Sequence, residues 1–346
     1  MELRERGSIL ILTIWILAIL TLFGAAVGYQ VRQRLRHLET IETRSKLREA
    51  ADAGVWKAIH AIVRSREGSY ADALHSRWAN SSTDFRDVAI GEGTFTLMAR
   101  SPDGRIRYGL SDEESKINLN EMLKLPVLTR LFKYAAGVSE SEASNLAAAL
   151  MDWIDEDDHL NAGGAEARYY RSVGTPYRPR NGKLVTLEEL LLIKGITPEV
   201  FAEILPHVTL HSVSTVNINT ASEEVLLACG LSEGLVKQLG DFFAGKDRER
   251  GTPDDGVFMA SGSVGQDLSA VIPLDASEEK SLQDFVDSGL LDVRSHTFRV
   301  ESHARLGSRR QAMAMACIFN EAGEINQCRE FFYQIGPEIA APVLLP

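Results

Sequence analysis

The chain has 346 residues, with 37 Lys+Arg against 48 Asp+Glu for a net charge of −11, a length that accommodates about two domains. Its 45% hydrophobic and 25% charged content excludes a disordered or low-complexity chain, and so negative a balance argues against a nucleic-acid backbone, whose binding rests on Lys and Arg displacing counterions. Three cysteines with no CxxC pair exclude a disulfide scaffold and a cysteine zinc site.

The first element is an uninterrupted apolar run, SILILTIWILAILTLFGAAVGYQV, of 24 uncharged residues from Ser8 to Val31. As a helix it reaches about 36 Å, enough to cross a hydrocarbon core of about 30 Å. The alternative is a cleaved secretory signal, whose apolar region is only about 7 to 15 residues long and ends in a small-x-small site; here GYQVRQR follows. Gly24 and Gly28 form a GxxxG, which allows close helix packing. Beyond the span, residues 32–65 contain no proline and place apolar residues at Leu35, Leu38, Ile41, Leu47, Ala51, Val55, Ala58, Ile59 and Ile62. That spacing predicts one helix continuing to about Ser65. Arg4 and Arg6 lie before the span, and Arg32, Arg34 and Arg36 after it, so positive charge does not choose a side. Seven residues before the span and 315 after it fit a short cytoplasmic stub and a large exported domain.

Residues 66–115 carry the first strands, Gly93 to Arg100 and Arg105 to Leu110, separated by Ser-Pro-Asp-Gly, a hairpin signal. Residues 116–290 read as helical with long loops. The helical stretches are Glu140 to Asp155, Thr186 to Ile193, Pro198 to Leu205, Ser222 to Cys229, Ser232 to Phe243 and Ser277 to Ser288. Residues 291–346 return to strands: HTFRVESHARL, RRQAMAMACIF and REFFYQI, broken by Gly307-Ser308 and a turn near Ala322 and Gly323. Cys317 and Cys328 are equidistant from that turn. In a simple antiparallel hairpin they face each other, which allows a disulfide in an oxidising compartment. Cys229, in VLLACG, reads as a buried free thiol.

Arg4, Arg6 and Gly7, followed directly by Ser8 and the apolar run, resemble a type IV prepilin leader. The resemblance implies that residues 1–7 are cut off after Gly7 by prepilin peptidase and that Ser8 becomes the mature, N-methylated end. Most pilins and pseudopilins have Glu at the fifth mature position; here it is Leu12. That departure is similar to the K-type minor pseudopilins of type II secretion, the general secretion pathway protein K family. SDEESKINLN (Ser111 to Asn120), DWIDEDDHLNAGGAEARYY (Asp152 to Tyr170) and VNINTA (Val216 to Ala221) resemble blocks of that family. The resemblance implies an α+β fold: a pilin-like long N-terminal helix packed on an antiparallel sheet, with a large all-α insertion containing helix-hairpin-helix-like (SAM-like) turns. It further implies a single-pass inner-membrane protein with its C-terminal domain in the periplasm. Such a protein joins minor pseudopilins I and J and the major pseudopilin at the filament tip, primes assembly, and meets secreted substrate or the outer-membrane secretin. Leu12, Gly24 and Gly28 are then helix-packing positions.

The acidic cluster Asp152, Asp155, Glu156, Asp157 and Asp158 runs into Asn161, Gly163, Gly164 and Glu166. Hard cations take six to eight oxygens, but the spacing is not that of an EF-hand, and a solvated acidic loop fits as well. K-type pseudopilins carry calcium in this insertion, so the resemblance implies calcium on Asp155, Asp157, Asp158 and Glu166. The acidic stretch Asp247 to Asp255 contains Arg248 and Arg250, which points to internal pairing.

LLLIKGIT (Leu190 to Thr197) and VNINTASEEVLLACG (Val216 to Gly230) are similar to phosphate-gripping helix-hairpin-helix turns, also found in the competence DNA receptor. From Leu184 to Gly245, however, two lysines stand against eight acids, a net charge of −6, which repels phosphate; no nucleic-acid partner is expected. GDFFAGKD (Gly240 to Asp247) lacks the hydroxyl and the preceding strand of a P-loop. Ser277-Glu278-Glu279-Lys280 has no SDN or KTG partner, and there is no GxSxG or HExxH. No enzymatic activity is expected. A minor pilin of a type IV pilus or competence system, and a membrane-anchored nucleic-acid receptor, are the alternatives.

Overall fold

The computed structural model describes residues 3–68, 70–101, 104–122, 124–271 and 273–335, with side chains from Ile9 onward except that of Val271. The expected rod is α1 (Leu3–Ser65), 63 residues without a break. From Ile9 to Val31 every large apolar side chain is exposed. This is the one helix among the described residues long and apolar enough to cross a membrane. The apolar periodicity continues beyond it, yet Leu35, Leu38 and Ile41 are also exposed. Burial begins at Thr43 and then follows Leu47, Ala50, Ala51, Val55, Ala58, Ile59 and Ile62, the steps of three and four that keep one helix face on a core.

That face lies on a seven-stranded sheet. The chain first adds α2 (Ser82–Phe85), β1 (Val88–Ile90), β2 (Gly93–Arg100), β3 (Ile106–Arg107) and β4 (Ser111–Asp112). After the insertion come β5 (Thr297–Leu306), β6 (Gln311–Asn320) and β7 (Ile325–Gln334), in the sheet order β1-β2-β5-β6-β7 with β3 on β2 and β4 on β5, all antiparallel. Alternate residues Phe95 and Leu97 of β2, Phe298, Val300 and Ala304 of β5, and Met313, Met315, Cys317 and Phe319 of β6 meet α1 in one core; each fully buried Phe, Leu, Val or Met contributes about 1.5–3 kcal/mol. Where α1 crosses β2 and β5 it presents Gly54, at which an added Cβ would lie 2.1 Å from Ser302 Oγ. Of Arg105 to Leu110 only Ile106–Arg107 is strand, and the last strand starts at Ile325, four residues before the expected run.

The insertion has its own core. Its helices are α3 (Leu125–Ala135), α4 (Glu140–Ile154), α5 (Ala167–Ser172), α6 (Pro198–Ile204), α7 (Glu223–Cys229), α8 (Glu233–Phe243), α9 (Val264–Val271) and α10 (Ala276–Asp287). Of these α3, α5 and α9 were not anticipated, and Leu187–Leu192 is a 3₁₀ turn within the expected helix Thr186 to Ile193. Side chains of Ser139, Thr197, Ser222, Ser232 and Asp275 cap the helices they precede, each satisfying amides that have no partner within the helix. Two short parallel pairs, Ile117–Asn118 with Val208–Thr209 and Val216–Asn217 with Leu291–Asp292, bring together segments far apart in sequence.

A buried polar knot joins the two cores. Asp112, where the chain leaves the sheet, accepts from Thr220 Oγ1 (2.5 Å) and Ser295 Oγ (2.6 Å), and Ser295 lies just before β5. Asn217 Nδ2 donates to Ser295 Oγ (2.7 Å) and to the carbonyl of Asp72 (3.1 Å). Asp72 accepts from Arg66 Nη1 (2.6 Å), Trp78 Nε1 (3.1 Å) and Ser295 N (2.9 Å). Glu114 takes the amides of His296 and Thr297. The SDEES and VNINTA segments are therefore the fastening of the insertion to the end of α1 away from the apolar run.

Candidate functional site

Three features bear on function: the bare part of α1, the hairpin cysteines and the acidic cluster. Gly7 and Ser8 lie outside the residues whose side chains are described. Leu12 is exposed, and an added Cβ at Gly24 or Gly28 would meet nothing within 4 Å, so this face has no partner among the described residues. Cys317 and Cys328 stand opposite one another in register, Cα atoms 4.1 Å apart and sulfurs in bonding contact. A one-residue register shift between Ile318 and Phe319 lies on the turn side of the pair and leaves it aligned. Cys229 is free and buried, its thiol pushed up to about 12 by that burial.

The acidic cluster forms where α4 ends. Asp152 and Asp155, one helical turn apart, point the same way, and Glu166, just before α5, returns to meet them. Their ligand atoms lie within 4.8 Å of one another. Asp152 Oδ1 accepts from Asn161 N (3.2 Å) and Asn161 Nδ2 (2.5 Å), tying the intervening loop to α4. Asp152 Oδ2, Asp155 Oδ1 and both Glu166 oxygens are shut off from solvent without a hydrogen bond among the described residues, a costly arrangement for carboxylates. Burial, then Asp152 and Asp155, push Glu166 up to about 7. Burial, then Asp157 and Asp152, raise Asp155.

The structure brings together two of the four expected ligands, Asp155 and Glu166. Asp157 instead accepts from His159 N (2.7 Å) and is lowered by that bond, and Asp158 is exposed. Asp152 takes their place in the cluster. The signal for it was helical phase: it lies three residues before Asp155 and four after buried Ala148, whereas Asp157 and Asp158 lie beyond the helix end. Four unpartnered carboxylate oxygens on three converging side chains suit a hard, oxygen-binding divalent cation.

At the end of GDFFAGKD two backbone amides are already engaged. The backbone amides of Lys246 and Asp247 are taken by Asp254 Oδ2 (2.7 and 3.3 Å), so a carboxylate of the chain sits where a phosphate would. Asn219 braces Phe258 through both backbone groups at 2.9 Å. Arg250 does not pair with the neighbouring acids as expected: it donates to the carbonyls of Ala221 and Asn219, while Asp255 takes the amide of Gly251.

Residues 110–213, which contain the whole acidic cluster, match a family model described as type II secretion system (T2SS), protein K. The type II secretion system protein K of Pectobacterium carotovorum subsp. carotovorum is 25% identical over 237 residues, covering 64% of this chain and 69% of that protein. Its counterpart from Klebsiella pneumoniae is 28% identical over 234 residues, covering 64% and 68%. Over these stretches the chain is similar to type II secretion system protein K. The fold agrees: a chain of the GspK-GspI-GspJ complex from the enterotoxigenic Escherichia coli type 2 secretion system superposes with a TM-score of 0.64 at 17% identity, over 85% of this chain and 99% of that one. The long apolar helix fits a single-pass anchor.

Proposed function

We propose that this protein is the minor pseudopilin at the tip of the type II secretion pseudopilus, where it joins minor pseudopilins I and J, primes polymerisation of the major pseudopilin and supports export across the outer membrane. In this reading prepilin peptidase cuts after Gly7, the new N-terminus faces the cytoplasm, and the head lies in the periplasm. The observation that carries it is α1, bare from Ile9 to Ile41 and buried only from Thr43 onward: about 50 Å of helix has no partner among the described residues, which leaves it for neighbouring helices. The insertion, fastened at the other end of α1 through Arg66 and Asp72, would obstruct a subunit stacked above it. Leu12 supplies no carboxylate for ordinary stacking.

The acidic cluster is proposed to hold calcium through Asp152, Asp155 and Glu166, which would neutralise three converging carboxylates and pin the loop between α4 and α5. Bound calcium acts here as a structural tie.

Gold labelling of assembled pseudopili tests the position: label at filament ends is expected, and label spread along the shaft would refute the tip reading. Leu12→Glu should move label into the shaft. Mass spectrometry of the same material should show a chain beginning at Ser8.

A further inference from the structure

We propose that Lys194 is the positioning residue of the acidic site: its ammonium clamps the Gly163–Gly164 backbone and keeps the three carboxylates gathered when no cation is bound. This rests on the calcium reading above. The problem it answers is electrostatic. Asp152, Asp155 and Glu166 repel one another, and Glu166 reaches the site on a glycine-bearing loop that repulsion would swing outward.

The inner side of that loop is pressed onto α4. A Cβ added at Gly164 would fall 2.1 Å from Asp152 Oδ2, and one at Gly163, where φ is +89°, would fall 2.0 Å from Asn145 Oδ1. The outer side is held by Lys194, whose Nζ donates to the carbonyls of Gly163 (3.1 Å) and Gly164 (2.9 Å) and lies 5.3 Å from the centre of the Tyr169 ring. Lys194 is itself fixed. Its backbone amide donates to Tyr170 Oη (3.3 Å), Tyr170 is fully buried against Trp153, and the turn continues through Gly195 at φ +85°. The lysine singled out in the LLLIKGIT segment thus grips backbone carbonyls of the acidic loop.

Two roles for this lysine predict opposite outcomes. A cation merely near the site competes with calcium, so its removal should tighten binding. A clamp that prearranges the loop should weaken binding when lost, by about tenfold, as is usual for groups that orient metal ligands from behind.

The test titrates calcium into the detergent-solubilised full chain by calorimetry and follows metal-free hydrogen exchange at the amides of residues 161–166. Lys194→Met should weaken calcium binding about tenfold and speed exchange in that loop; Lys194→Arg, which keeps charge and donors, should restore both towards wild type and serves as the folded reference. Equal or tighter binding by Lys194→Met, or exchange unchanged from wild type, overturns the clamp while leaving the calcium reading intact. Wild-type protein that takes no calcium overturns both.

Discussion

Gly54→Ala isolates the contact that seats α1 on the sheet. The new methyl would lie 2.1 Å from Ser302 Oγ and 3.0 Å from both Leu97 Cδ2 and Phe95 Cδ2. All three side chains are buried, and Ser302 Oγ has no hydrogen-bond partner. Overpacking costs about 1–3 kcal/mol, and three contacts this short on buried side chains put it at the upper end, about 2–3 kcal/mol, against which alanine gains about 1 kcal/mol over glycine in a helix interior. The net expectation is a loss of about 1–2 kcal/mol. Ser302→Ala removes the nearest obstacle together with an unsatisfied buried hydroxyl. In that background Gly54→Ala should therefore be close to neutral, with a coupling of about 1–2 kcal/mol between the sites. Chemical denaturation of the four proteins in detergent, followed by tryptophan fluorescence, to which Trp78 in the same core contributes, measures the cycle. Equal effects in both backgrounds, or a Gly54→Ala protein as stable as wild type, would refute the close approach.

Asp152→Asn or Glu166→Gln should weaken calcium binding at least about tenfold, whereas Asp157→Asn and Asp158→Asn should leave it nearly unchanged; luminescence of terbium competed by calcium distinguishes the two sets. Glu166 also sets a pH dependence without metal. Its folded value near 7 lies above the ordinary range, so its contribution is full below about pH 4 and is lost as pH rises through 7. In chelator, melting temperature should fall between pH 5.5 and 8 by the equivalent of at most about 2 kcal/mol, and Glu166→Gln should flatten that fall. The paired cysteines predict that thiol reagents label no cysteine of the folded oxidised protein, Cys229 being buried and protonated, and label only Cys229 on unfolding without reductant. Replacing both Cys317 and Cys328 by Ser should cost about 2–3 kcal/mol, read from denaturation midpoints.

What could be read from the sequence was local. The helix to Ser65, strand Gly93–Arg100 and the facing cysteines follow from periodicity and from counting residues about a turn. Leu35 and Leu38 continue the steps of three and four, but at about 100° per residue they lie about 120° and 180° round the helix from Leu47, so spacing extends the helix without saying which residues meet the sheet. Asp112, Asn217 and Ser295 each look like ordinary loop residues, because what makes them a knot is contact between segments 78 to 183 residues apart. Charge density along the chain points to Asp157 and Asp158, but these lie past the end of α4 and turn to solvent, whereas Asp152 is in helical phase with Asp155.

Because Asp112 and Ser295 touch, and β4 is paired with β5 (Asp112 opposite Phe298), the point of departure from the sheet and the point of return are a single place. The intervening stretch is an excursion that begins and ends at one doorway. Ancestral strands could have acquired it without lengthening any gap between them. An engineer could excise it and close the doorway with a tight bend, leaving a plain, small pilin head behind.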